Sequence, residues 1–139
     1  DGGGQTPQPA VPAKAVARVI LVEDDAQVRA FVRRVLAGRG YVVSEADSGE
    51  KALALAEAAP PDLLVTDMVM PGLRGDELVR RLRARPPAPA VVFMSGYTET
   101  GILPEHALGP TTRFVQKPID PVELLRLCGE ALAASAADR

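Results

Sequence analysis

The sequence predicts an α/β domain: a doubly wound, five-stranded parallel sheet with strand order 2-1-3-4-5. Three observations carry this. Five short apolar runs, Val19–Val22, Tyr41–Val43, Leu63–Thr66, Val91–Met94 and Arg113–Val115, are nearly continuous, as in strands covered on both faces. Segments of helical period lie between most of them, as crossovers between parallel strands require. Polar residues gather just past four of the runs, whereas the second ends in Glu45-Ala46, which places that strand at an edge. Right-handed crossovers with an early reversal then give the order.

Taken in sequence, residues 1–17 open D-G-G-G-Q-T-P-Q-P-A-V-P-A-K, rich in Gly, Pro and Gln without apolar periodicity, and read as a flexible linker. The start at Asp1 behind such a tether suggests a protein that continues upstream, leaving residues 18–137 as the folded module. After the first run, Val28, Phe31, Val32, Val35 and Leu36 lay one stripe on the sheet, and Gly38 is expected to end that helix. Asp47 with Glu50 resembles a capping box for a second helix, whose small face is Ala52, Leu55, Ala56 and Ala59 before Pro60-Pro61. Leu78, Val79 and Leu82 mark a third, ended before Pro86-Pro87. Between the fourth and fifth runs, Gly101, Pro104, Gly109 and Pro110 break the pattern of Thr98–Thr111, so the fourth helix there is expected to be short or irregular. The closing helix takes Asp120 as cap, Pro121 at its first position and Glu123 in the box, and runs through Leu124, Leu125, Cys128 and Leu132.

Composition narrows the function. The chain has 139 residues, 47% hydrophobic and 24% charged, with net charge −2, which suits one globular domain. One cysteine, Cys128, and one histidine, His106, exclude a disulfide framework and a Cys- or His-rich metal centre. With 16 basic against 18 acidic side chains and 4% aromatics, nucleic-acid binding is not expected. No apolar stretch approaches a membrane span, so no membrane contact is expected and a reducing, cytoplasmic setting fits.

In an open parallel sheet, ligands bind beyond the carboxyl ends of the strands. There the sequence places Glu23-Asp24-Asp25, Asp67, Ser95-Gly96 and Lys117-Pro118. Three carboxylates on one rim repel one another unless a cation sits among them, and oxygen-only donors fit Mg²⁺. Lys117 adds a mobile positive charge and Ser95 a hydroxyl donor, both suited to a phosphoryl oxygen. An Asp can itself be the nucleophile in phosphoryl transfer, forming an acyl phosphate.

These residues carry a resemblance. V-I-L-V-E-D-D, L-L-V-T-D-M-V-M-P-G, V-V-F-M-S-G-Y and F-V-Q-K-P resemble the receiver domains of two-component response regulators over residues 18–135, and so imply their flavodoxin-like fold. The resemblance implies that Asp67 is the phosphoacceptor, and that Asp24, Asp25, Asp67 and the backbone carbonyl of Val69 hold Mg²⁺. It implies that Ser95 and Lys117 bind the phosphoryl group, that a cis peptide precedes Pro118, and that Phe114 is an aromatic switch. Val69 and Tyr97 occupy positions that tune acyl-phosphate lifetime in the family. The implied partner is a histidine kinase or histidine phosphotransfer protein, with the domain itself a monomer or weak dimer. S-G-Y-T-E before an irregular segment and K-P-I-D is similar to the C-terminal receivers of hybrid histidine kinases, whose parent protein can be membrane-anchored upstream. The alternative is a stand-alone regulator acting by protein binding.

Blander readings stand beside these. Asp25 can be a helix N-cap, Ser95 a cap of the next segment and Phe114 ordinary core. His106, set among Gly and Pro, reads as a surface residue, and Cys128 as a small hydrophobe. Arg80, Arg81, Arg83 and Arg85 read as a solvated helix face. A remoter alternative, a Mg²⁺-dependent phosphohydrolase with an Asp nucleophile, needs a second Asp where this chain has Val69.

Overall fold

The apolar runs become strands and the 3.6-period segments become helices in a computed structural model, which describes residues 17–96 and 109–137. In chain order these are β1 (Arg18–Val22), α1 (Ala26–Arg39), β2 (Val42–Ala46), α2 (Gly49–Ala58), β3 (Leu63–Asp67), α3 (Gly75–Arg83), β4 (Ala90–Ser95), β5 (Thr112–Gln116) and α4 (Pro121–Ala137). Every strand pair is parallel and the order is β2-β1-β3-β4-β5, the order the sequence predicts. The linker up to residue 16, Tyr97, His106 and most of the Thr98–Thr111 segment with its expected irregular helix lie outside the described residues.

Because side chains alternate across a strand, the sheet sorts its apolar residues into two layers. Val19, Leu21, Leu63, Val65, Val92, Met94 and Val115 face α1 and α4, meeting Val32, Leu36, Leu124 and Cys128. Ile20, Val22, Leu64, Val91 and Phe93 face α2 and α3, meeting Ala52, Ala56, Leu78 and Val79. The strips of α1 and α3 are thus the ones their periodicity predicts. Cys128 is fully buried, and burial pushes its thiol pKa up to about 12.

Three boundaries differ from the sequence reading. Helix α1 passes through Gly38 and ends at Gly40, whose φ of 107° only glycine adopts cheaply. Gly40 N–H donates to Ala37 O and Tyr41 N–H to Leu36 O, a Schellman closure that buries Tyr41 against Leu36. Tyr41 is therefore spent on the cap, and β2 begins one residue later and runs on through Ser44 and Glu45. An edge strand tolerates such polar residues, so hydrophobicity could not mark its end. Helix α2 is capped by Ser48, not Asp47: Ser48 is extended and its Oγ accepts from Lys51 N–H at 3.1 Å. Glu50 instead accepts from Leu73 N–H at 3.2 Å, tying α2 to the loop after β3.

The start of α3 is pressed against the end of β3. Gly75 N–H donates to Met68 O at 3.1 Å, and a Cβ on Gly75 would lie 2.3 Å from the Asp67 carbonyl oxygen. Gly75→Ala should therefore destabilise the domain by about 1–3 kcal/mol in urea denaturation, as overpacking does. Gly38→Ala, in open space within a helix, should instead stabilise it by up to about 1 kcal/mol; equal effects at the two glycines would refute the packing account.

Candidate functional site

One more step of each strand's alternation carries polar residues to the α1/α4 side of the rim: Glu23 after Leu21, Asp67 after Val65 and Lys117 after Val115. Parallel register sets Glu23 level with Asp67, and Asp67 level with Met94 and Val115, so Lys117 stands two residues farther along and its long side chain reaches back to the two acids. Asp67 is 7% exposed and Glu23 is 1% exposed. Lys117 Nζ stands between them, 2.9 Å from Glu23 Oε1 and 3.4 Å from Asp67 Oδ2. The Lys117–Pro118 peptide is cis.

The carboxylates brought together are Glu23, Asp24 and Asp67, each with an oxygen within 4.8 Å of the others. Asp25, expected in this set, is used elsewhere. Its Oδ1 accepts from Gln27 N–H at 2.9 Å and Val28 N–H at 3.2 Å, which makes it the N-cap of α1. Glu23, which the sequence places at the rim but which was not expected among the metal ligands, takes the third place. Its signal was the period of two: Glu23 follows Leu21 on the face that also carries Val65 and Asp67.

Burial raises the pKa of Asp67, with Lys117 and the Val69 N–H working against the shift. Burial raises Glu23 as well, again opposed by Lys117. For Lys117, burial alone would lower the ammonium, but its bond to Glu23 and the nearby Asp67 charge outweigh it and raise the pKa. One ammonium thus offsets two buried carboxylates incompletely. Three hard oxygen donors and a shortfall of positive charge fit a divalent cation such as Mg²⁺.

Ser95 closes the end of β4. It is fully buried, and its Oγ has no hydrogen-bond partner among the described residues. A buried hydroxyl left unpaired is costly, so it is a donor held ready for an acceptor. Val69 is 42% exposed at the mouth of the site. Phe114, half-buried on β5, stacks on Phe93 with ring centres 5.3 Å apart and planes at 22°. An open apolar groove of about 300 Å³, lined by Val28, Phe31, Pro118 and Ile119, lies beside Lys117. A second cleft of about 340 Å³ sits among Leu53, Pro60, Leu82 and Pro87, before β3 and β4 and so at the opposite, amino end of the strands.

The arginine run divides. Arg80 and Arg81 pair with Asp76 and Glu77 on the surface of α3. Arg83 does not follow them: it is half-buried and donates to Thr111 Oγ1 at 2.9 Å and Thr112 Oγ1 at 2.7 Å, fixing the start of β5.

Comparison with known proteins gives one family. Residues 19–128 match the model of the response regulator receiver domain. The sensor kinase CckA of Brucella abortus is 37% identical over 118 residues, 84% of this chain but 12% of the kinase. The receiver protein CpdR of the same organism is 30% identical over 118 residues, 85% of this chain and 98% of that protein. The crystal structure of the receiver domain from the hybrid histidine kinase CckA superposes with a TM-score of 0.68 at 38% identity, covering 83% of this chain and 98% of that one.

A carboxyl whose folded pKa is raised binds its proton more tightly folded than unfolded, so its contribution to stability falls as pH rises through the raised value. In buffer free of divalent ions at pH 7, Asp67→Asn should melt a few degrees above wild type. The gap should narrow as pH is lowered through the raised folded value and the buried carboxyl takes up its proton; a mutant that melts lower at pH 7 would refute the charge deficit.

Proposed function

The chain belongs to the response regulator receiver domains, and from that premise we propose that Asp67 accepts a phosphoryl group from a phosphohistidine. Receiver domains interact with histidine kinases or histidine phosphotransfer proteins, and they bind Mg²⁺ at their acidic site. The observation that carries the reading is the Glu23–Lys117–Asp67 arrangement, a buried carboxylate facing a cation at the rim of a parallel sheet.

Here an Oδ of Asp67 bonds to phosphorus while the P–N bond of the phosphohistidine breaks, and the electron pair leaves with the imidazole, which takes up a proton. Burial keeps Asp67 poorly solvated, which favours attack over competing hydration. Glu23, Asp24 and Asp67, with the Val69 carbonyl, would hold Mg²⁺, which when bound offsets the charge on the phosphoryl oxygens. Lys117 can follow the new phosphoryl group, because its ammonium, on a flexible stem, already lies 3.4 Å from Asp67 Oδ2. Ser95 can donate its unpaired hydroxyl to a phosphoryl oxygen. Phe114 is the residue whose ring would respond, its present position being held by Phe93. The apolar groove beside Lys117 supports a protein donor over a small molecule.

The chain's higher identity to a hybrid kinase receiver supports a place in a hybrid histidine kinase, relaying phosphate in the cytoplasm. Its match to nearly the whole of CpdR supports the alternative, a single-domain regulator that acts by binding proteins. In both readings the domain works through protein partners, without nucleic acid or membrane contact, and as a monomer or weak dimer.

Incubation with acetyl phosphate should add one phosphoryl group in intact-mass analysis when Mg²⁺ is present, and none in Asp67→Ala. A wild-type chain that stays unmodified with acetyl phosphate and with a purified phosphorylated histidine phosphotransfer protein would overturn the proposal. Ser95→Ala should be phosphorylated about tenfold or more slowly, as when one donor to a developing oxyanion is removed. Its melting temperature should hold or rise, because an unpaired buried hydroxyl contributes no stability.

A further inference from the structure

At the end of β1, the peptide between Glu23 and Asp24 turns away from the sheet. Glu23 N–H still pairs with Ala46 O at 3.1 Å, but the Glu23 carbonyl has passed the last strand partner. Arg29, one turn into α1, takes it: its Nη1 donates to Glu23 O at 2.8 Å. The same guanidinium reaches the edge strand through Nε, 3.2 Å from Glu45 Oε1. Arg33 contacts the other Glu45 oxygen, Oε2, at 3.3 Å. Arg29 therefore spans from β2 to the acidic turn and is itself anchored at the far end.

The peptide it grips is the one that joins two members of the carboxylate cluster. On its amino side, Glu23 sends Oε1 to Lys117 and Oε2 to Asp25 N–H at 3.1 Å. On its carboxyl side, Asp24 reaches the Asp67 cluster. Rotation of that peptide would swing both carboxylates away from Asp67, and the bond to Arg29 opposes the rotation.

We propose that Arg29 is a positioning residue for cation binding at the acidic cluster, acting through the Glu23 carbonyl and anchored by Glu45. The inference rests on the receiver reading, under which Glu23, Asp24 and Asp67 hold the ion. Its sign separates it from a simple charge effect. A guanidinium near the cluster repels a cation, so loss of the charge alone would tighten binding, whereas loss of the positioning bond weakens it. Lysine keeps the charge but cannot span two acceptors with a planar fork, so it should not rescue.

The test is calorimetric titration of the full chain with Mg²⁺ alone, without phosphodonor, alongside thermal melting. Arg29→Ala and Arg29→Lys should each raise the Mg²⁺ Kd about fivefold to tenfold, a factor worth about 1–1.4 kcal/mol. Glu45→Gln, a change at a part-exposed surface position, should raise it about twofold to threefold, and it decides the matter if the Arg29 variants do not fold. Under limiting Mg²⁺ the variants should label slowly with acetyl phosphate, and saturating Mg²⁺ should restore the rate. An unchanged or tighter Kd in the Arg29 variants, or wild-type affinity in Arg29→Lys, overturns the proposal. Absence of Mg²⁺ binding by the wild type would instead fail the receiver reading itself.

Discussion

Two buried carboxylates share one ammonium group, and the rest of the rim is arranged around that shortage. Lys117 lies within 3.4 Å of both Glu23 and Asp67 and still leaves both acids with raised pKa values, because burial costs them more than one cation returns. Such a pair adds little net stability by itself. It is sustained by the apolar layer beneath, in which Leu21, Val65 and Val115 each sit two residues before a charged one. The same strands that bury the core thus present the charges, and their parallel register brings the three to one rim.

The surrounding elements hold backbone more than side chains. Gly75 lets the first turn of α3 close on the Asp67 carbonyl, Asp25 caps α1, and Glu50 takes the Leu73 amide. Each fixes the path of a loop that leaves a strand end, so the acidic side chains need little support of their own. Arg83 does comparable work at the far edge, joining α3 to the entry of β5 through the hydroxyls of Thr111 and Thr112. The strand that carries Phe114 and leads to Lys117 is thereby anchored at its entry.

Much of this was legible in the chain. Continuous apolar runs mark buried parallel strands, and the logic of strand ends finds Asp67, Ser95 and Lys117 before any contact is known. What was not legible depends on direction or distance. Three consecutive acids, Glu23, Asp24 and Asp25, look alike in sequence, and only the strand's alternation and the cap geometry separate the two in the cluster from the one that starts a helix. Ser48 and Asp47 compete for one cap, and backbone conformation decides between them. Gly38 and Gly40 are equally good helix stops on paper, and the closure by Tyr41 chooses the second. Arg83 shares the spacing of its solvated neighbours, and its partners come from almost thirty residues away, which no local pattern reveals.

The single thiol has a consequence of another kind. Cys128 lies at the centre of α4's inner face, fully buried, and with its pKa near 12 it holds almost no thiolate at neutral pH. Oxidants and alkylating agents act on the thiolate. A disulfide between two copies would require α4 to lift from the sheet. As long as α4 stays packed on the sheet, the one thiol is therefore shielded from the redox state of its surroundings.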